Sequence, residues 1–208
     1  MNPALEWPVT LEGRTAAGDP VRLRPLLRSD WRAYQQLRRD NLDHLREGTA
    51  DDPDAPGMGA IPPVRTAYHR FVRSVPRQAA VGAAVHWGIE HRGRLAGEMA
   101  LGDVRWGGQR TASAGYWVDR QVTGRGVGRT ALALAIDHAL AAAGLHRVEV
   151  AVAVHNEASL AMVAALGLRE EGVRVGATFI DGQWCDHRVF AVTAPEWDAT
   201  RARLGHRY

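Results

Sequence analysis

The spacing of apolar positions changes several times along this chain, and each change marks an element. Val21-Arg22-Leu23-Arg24-Pro25-Leu26 alternates apolar and basic residues, as a half-buried strand does. With residues 9–11 it predicts a hairpin across the 14–20 turn, where Gly18-Asp19-Pro20 supplies the turn chemistry. Trp31, Tyr34, Leu37 and Leu45 then recur at helical spacing, which predicts a helix over about 31–46 with Ser29 and Asp30 as N-caps. Residues 51–63 carry four prolines and two glycines and hold no regular element. A loop of that length is uncommon in a compact domain and often serves as a lid or binding loop. A second helix is predicted over 64–74.

From residue 84 the period becomes two. Residues 84–90 and 95–104 read as strands joined by a turn at His91-Arg92-Gly93-Arg94, and 111–118 as a third strand after Trp106-Gly107-Gly108. Residues 130–143 hold neither proline nor glycine and place Leu132, Ile136 and Leu140 on one helical stripe, with Gly144 as the C′ residue. Residues 148–154 alternate again, with Val148, Val150, Val152 and Val154 on one side. Asn156 caps a short helix that ends at Gly167, and 172–179 with 184–192 form a last hairpin around Asp181-Gly182. The predicted order is β–α–α–β–β–β–α–β–α–β–β, a mixed α/β (α+β) domain.

The segment GYWVDRQVTGRGVGRT, residues 115–130, joins a strand to a helix through three glycines at alternate positions, Gly124, Gly126 and Gly128. Such a turn presents unpaired backbone N–H groups at the positive end of a helix dipole, which suits a phosphate or pyrophosphate. A P-loop needs a lysine after its last glycine, but Arg129 stands there and the chain contains no lysine. A dinucleotide fingerprint needs G-x-G-x-x-G and an acidic residue about 20 positions later. Here Gly128 comes one residue early, and Glu149 lies inside an alternating run. Thr123-Gly124-Arg125-Gly126-Val127-Gly128 instead resembles motif A, R/Q-x-x-G-x-G/A, of the GCN5-related N-acetyltransferases, with Thr123 in the Arg/Gln place. An ordinary glycine-rich turn before a helix remains the bland alternative.

Composition narrows the setting. A chain of 208 residues is long enough for one well-buried domain, taken as 19–208 behind an N-terminal arm of residues 1–18. All 26 basic residues are arginine and the formal charge is only +3, too weak a balance to argue for nucleic-acid binding. No apolar run reaches the ~20 residues of a membrane span. The start MNPALEWPVT has neither a basic n-region nor an apolar h-region, so no signal peptide is expected. A single cysteine, Cys185, excludes an intrachain disulfide and suits a reducing cytoplasm. Monomer and homodimer stay open, and no metal is expected.

The wider order of motifs resembles one branch of that family, the ribosomal-protein-alanine N-acetyltransferases of the RimJ/RimL kind. The resemblance rests on Gly115-Tyr116-Trp117-Val118, the glycine loop, Asp137-His138, Leu145-His146-Arg147-Val148-Glu149, Asn156-x-x-Ser159, Leu166-Gly167-Leu168-Arg169-Glu170-Glu171-Gly172 and Asp181-Gly182-x-Trp184-x-Asp186-His187. Asn41-Leu42-Asp43-His44-Leu45 is similar to the branch's first substrate-side helix, but Arg46-Glu47-Gly48 replaces the usual Pro-Trp.

The resemblance implies a mostly antiparallel sheet with a splayed parallel strand pair and flanking helices. It implies acetyl-CoA as cosubstrate and direct attack by an amine, with no acyl-enzyme. The pyrophosphate would lie on the amides from Arg125 to Thr130, within a coenzyme-binding set of Trp117, Val118, Thr123, Gly124, Arg125, Gly126, Val127, Gly128, Arg129, Thr130, Asn156 and Ser159. A backbone N–H near Trp117 or Val118 would face the thioester oxygen. Ser159 or Tyr116 would protonate the departing thiolate, although Ser159 equally suits a plain helix-capping role. The general base is not identified: Ser113, Thr178 and Phe179 occupy positions where relatives carry candidates. Glu98 is the best remaining carboxylate, against a commoner role as a solvated strand glutamate. His86, His138 and His187 are more often structural, and Trp31, Trp87, Trp106 and Trp184 read as packing residues, one of them a candidate cleft wall. The acceptor is expected to be a peptide or protein N-terminal amine. A small-molecule amine such as an antibiotic or polyamine, or a catalytically silent acyl-CoA-binding role, are the alternatives.

Overall fold

The computed structural model describes residues 3–54 and 58–204. Eight strands form one sheet in the order β1-β2-β3-β4-β5-β6-β8-β7. β1 (Leu11–Arg14) and β2 (Pro20–Pro25) form the expected hairpin, with its first strand at 11–14 rather than 9–11. The segment assigned to an arm contributes to the same body: Leu5 is buried, its N–H donates to Ala79 O at 2.8 Å, and Trp7 packs on Trp87.

The single helix expected over 31–46 is two helices, α1 (Trp31–Asp40) and α2 (Leu42–Arg46). Asn41 breaks it because its side chain is committed elsewhere. It donates to Leu37 O and Asp119 Oδ1 and accepts from Arg120 N, tying the break to the start of the glycine loop, just after residue 118. Asp30 does not cap α1; its carboxylate accepts from Leu27 N and pairs with Arg24. α3 (Arg65–Ala80) runs past the predicted stop at 74 and through Pro76. A proline inside a helix removes one backbone bond and crowds the preceding turn. Burial of Tyr68, Val75 and Ala79 along the same helix outweighs that cost.

β3 (Val85–His91), β4 (Arg94–Arg105) and β5 (Thr111–Val118) form the predicted antiparallel meander. α4 (Val127–Asp137) starts three residues earlier than the alanine-leucine run suggested and widens into a π turn over His138–Ala142. β6 (Arg147–Ala153), α5 (Glu157–Ala165) and the hairpin of β7 (Arg169–Ile180) with β8 (Gln183–Thr193) follow. A last helix, α6 (Ala194–Leu204), was missed. Its signal was Thr193-Ala194-Pro195-Glu196: Thr193 N and Oγ1 both donate to Glu196 Oε2, the glutamate half of a capping box. No helix of the described residues is long and apolar enough to cross a membrane.

The sheet has two unlike faces. Val85, Trp87, Ile89, Met99, Leu101, Ala112 and Ala114 point one way, into the main core against α4. His86, Glu98 and Trp117 point the other way, toward α1 and α3, where Tyr34, Tyr68 and Phe71 pack. All neighbouring strands are antiparallel except β5 and β6. That parallel pair holds at only three positions, Thr111–Arg147, Ala112–Val148 and Ser113–Glu149. Beyond them the two strands part, as the resemblance implied.

Candidate active site

A cavity of about 740 Å³ opens where β5 leaves β6. Its walls are Gly115–Val118 of β5, the glycine loop and the start of α5, with Arg38, His86 and Glu98 from the opposite face of the sheet. Of the expected coenzyme residues, Trp117, Val118, Thr123, Gly124, Gly126, Val127, Gly128, Arg129, Asn156 and Ser159 line it.

Arg125 and Thr130 do not. Arg125 is exposed and its N–H lies 3.4 Å from Val122 O. Thr130 is fully buried, and both its N–H and its hydroxyl donate to Gly126 O, at 2.9 and 3.0 Å. It braces the loop from beneath. The amides available at the loop are therefore those of the first turn of α4, Val127, Gly128 and Arg129, which an α-helix leaves without intrahelical acceptors. Gly126 caps α4 in the left-handed region, φ 79°, where a side chain is strained. Gly128 is needed for closeness: a Cβ there would stand 3.1 Å from Met162 Sδ and 3.2 Å from Val118 Cγ2. Arg129 Nε is buried with no hydrogen-bond partner. Unmet donors, the helix dipole and a guanidinium together make this wall fit an anion.

The middle of the cavity is β5 itself. Asp119 N donates to Ala96 O at 2.8 Å, directly across the ladder. By antiparallel alternation Trp117 N–H also turns to β4, leaving Val118 N–H on the side of the gap. Tyr116, paired with Met99, faces α4 and α5. Its hydroxyl is buried without a hydrogen-bond partner. Burial pushes the Tyr116 phenol up to about 12, and the Ser159 hydroxyl pulls the other way without meeting full hydrogen-bond geometry. Asn156 caps α5, its Oδ1 accepting from Ser159 N at 3.0 Å. The cap thus uses the backbone of Ser159, and the hydroxyl is not what satisfies that amide.

On the opposite face, Glu98 is not the solvated strand residue that was the commoner expectation. Its side chain is only 15% exposed. Tyr34 OH donates to Oε2 at 2.8 Å, and His86 Nδ1 lies 3.6 Å from Oε1. Burial, reinforced by the Glu98 charge, raises the Tyr34 hydroxyl well above the ordinary tyrosine range. Arg38, 8% exposed, donates to Gly59 O and Ala60 O and sits 5.7 Å from the Trp117 ring centroid. Tyr34 and Arg38 were missed; they stand four apart on α1, so one face of that helix presents both.

The other candidates lie elsewhere. His138 is buried edge-on against Trp87, and burial lowers its pKa. Asp186 and His187 do not orient one another: Asp186 Oδ1 accepts from Gly176 N, and His187 Nδ1 lies 3.3 Å from Cys185 O. Cys185 is buried beside Ala153 and Ile180. None of Trp31, Trp87, Trp106 and Trp184 lines the cavity; the aromatic wall is Trp117. Among the described residues no three His, Cys, Asp or Glu side chains gather as a metal site.

A family model described as an acetyltransferase (GNAT) domain matches residues 21–169. The chain is 30% identical over 122 residues to the [ribosomal protein uS5]-alanine N-acetyltransferase of Escherichia coli, covering 58% of this chain and 63% of that one. The matched segment spans 57% and 63% of two curated relatives, less than two thirds of their length. The solved structure of Mycobacterium smegmatis RimJ in complex with CoA-disulfide superposes with a TM-score of 0.83 at 31% identity, over 96% of both chains. RimL, a ribosomal L7/L12 α-N-protein acetyltransferase solved with coenzyme A, shares the fold with a TM-score of 0.73 at 21% identity, over 83% of this chain and 93% of that one.

Proposed function

The chain belongs to the GNAT acetyltransferase domain family, and from that premise we propose that it moves an acetyl group from acetyl-CoA to the N-terminal amine of a peptide or protein. The observation that carries this is the gap between β5 and β6, which begins after three paired positions and has an anion-fitting helix start at its edge. The pyrophosphate rests on the amides of Val127, Gly128 and Arg129, with the Arg129 guanidinium adding charge. The pantetheine runs along the gap, and Val118 N–H meets the thioester oxygen as negative charge builds on it. Attack is direct, because the gap brings thioester and amine together without an intervening nucleophile. Tyr116, which burial keeps protonated, or Ser159 gives the thiolate its proton.

The acceptor class leans on what similar proteins are named for: an alanine N-acetyltransferase of a ribosomal protein, and RimJ. A small-amine acceptor is the second reading, favoured by Arg46-Glu47-Gly48 after the substrate-side helix, where the branch's Pro-Trp is absent. Purified protein given acetyl-CoA and a panel of N-terminal peptides and small amines, read by mass spectrometry, separates them. One acetyl group on peptide α-amines is the expected result. Acetylation of small amines alone overturns the peptide assignment, and tight acetyl-CoA binding with no transfer overturns catalysis.

A further inference from the structure

We propose that Glu98 is the group that takes the proton from the attacking amine, with Tyr34 holding its carboxylate and His86 standing beside it. This rests on the acetyl-transfer reading above. Amine attack on a thioester sets two opposite proton tasks: one proton must leave nitrogen and one must reach sulfur. The sheet separates them. Tyr116 and Ser159 stand on the α4 and α5 side of β5, whereas Glu98 stands on the α1 and α3 side. Glu98 and Trp117 are directly paired across β4 and β5, so the carboxylate lies beside the strand segment whose Val118 N–H faces the gap. An amine approaching from the α1 side meets the carboxylate before the carbonyl. A thiolate departing on the α4 side meets the hydroxyls.

The bonding of Glu98 sets it apart from its neighbour. Glu90, on the adjacent strand and the same face, is tied down by Arg22 and Arg24. Among the described residues no arginine lies within ion-pair distance of Glu98; the nearby Arg38 donates through Nη2 to the carbonyls of Gly59 and Ala60. A carboxylate this enclosed needs partners. It has one full hydrogen bond, from Tyr34 to Oε2, while His86 stays 3.6 Å from Oε1, too far to saturate it. Oε1 keeps acceptor capacity at the cavity wall. His86 Nδ1 is likewise buried and unsatisfied. An unmet imidazole nitrogen beside a carboxylate oxygen with spare acceptor capacity suits a place where a proton arrives and leaves.

The step balances. The amine nitrogen bonds the acetyl carbon and its proton passes to Glu98 Oε1. The C–S bond breaks, the electron pair goes to sulfur, and sulfur takes the proton of Tyr116 or Ser159. Both side chains then return to their starting protonation from solvent.

The test uses an acceptor that wild type acetylates, with Glu98→Gln, Glu98→Ala and Tyr34→Phe. Glu98→Gln is nearly isosteric, so the fold is expected to hold; melting curves check this. Its kcat is expected to fall about 10²–10⁴-fold, with acetyl-CoA affinity by calorimetry unchanged. Added formate is expected to restore part of the activity of Glu98→Ala and none of that of Glu98→Gln, where no space is freed. Tyr34→Phe is expected to lower kcat without raising KM for acetyl-CoA, as a positioning residue does. A folded Glu98→Gln with kcat within a few-fold of wild type, or a Glu98→Ala loss that formate leaves untouched, overturns the assignment. Failure of wild type to acetylate any amine overturns the acetyl-transfer reading instead.

Discussion

Ser159 and Tyr116 line the same cavity with different structural duties. Because Asn156 Oδ1 caps α5 through Ser159 N, Ser159→Ala is expected to melt nearly as wild type. Asn156→Ala is expected to cost about 1 kcal/mol. Tyr116 carries a sharper prediction. A buried hydroxyl with no partner costs about 1–3 kcal/mol, so Tyr116→Phe is expected to be at least as stable as wild type while kcat falls. Melting and steady-state kinetics on the one variant check both halves. A stability loss with unchanged kcat would show that the hydroxyl serves packing. These roles were only half legible in the sequence. Asn156-x-x-Ser159 gives the cap by local spacing, but nothing local says which atom of Ser159 the cap consumes.

At the scale of elements, strands read better than helix limits. β5 matches its predicted span, because alternation and the turn at Trp106-Gly107-Gly108 both act locally. α1 breaks at Asn41 and α3 overruns Pro76 because contacts from distant elements override local propensity, and α6 was passed over although Thr193 and Glu196 stand at capping-box spacing before it. The β6–β7–β8 sheet end is held by ion pairs that sequence order does not display: Arg147 with Glu149 and Glu171, Arg169 with Glu171, Arg174 with Glu149 and Arg188 with Glu170. Hydrogen bonds from Arg147 and then Arg169 hold the Glu171 carboxyl down to about 2, from an ordinary 4.5. In the unfolded chain it takes up its proton near the ordinary value. The contribution to stability is therefore complete above pH 4.5 and is lost as pH falls toward about 2. Glu171 is partly exposed, so the gain is about 1 kcal/mol at most. Glu171→Gln is expected to melt below wild type at neutral pH by no more than about 2–4 °C, with the gap closing in the acid window. An equal gap at both pH values would mean the ion pairs contribute nothing.

For the whole molecule, the sequence displays one wall of the site and hides the other. The glycine loop and its helix are contiguous, so the fit of this wall to an anion reads directly from residues 115–130. Tyr34, His86 and Glu98 come from three separate elements, and only the register of β3 on β4 with α1 laid across them brings the three together. The mixed sheet and its splayed pair were implied by resemblance; the three-position limit of the β5–β6 pairing is what turns that topology into a cavity. Acetyl-CoA bound at 100 times its Kd is expected to add about 2.7 kcal/mol to stability, visible as a rise in melting temperature.

Acetyl-CoA lying in that gap with its pyrophosphate on the start of α4 is the premise of every role assigned above, and calorimetric titration of acetyl-CoA tests it most directly. Wild type is expected to bind one equivalent. Gly126→Val, with a side chain forced onto the left-handed cap, is expected to bind far more weakly, and Arg129→Gln, which disturbs no backbone, is expected to lose part of the affinity while melting normally. No binding by wild type, or unchanged affinity in both folded variants, would contradict it.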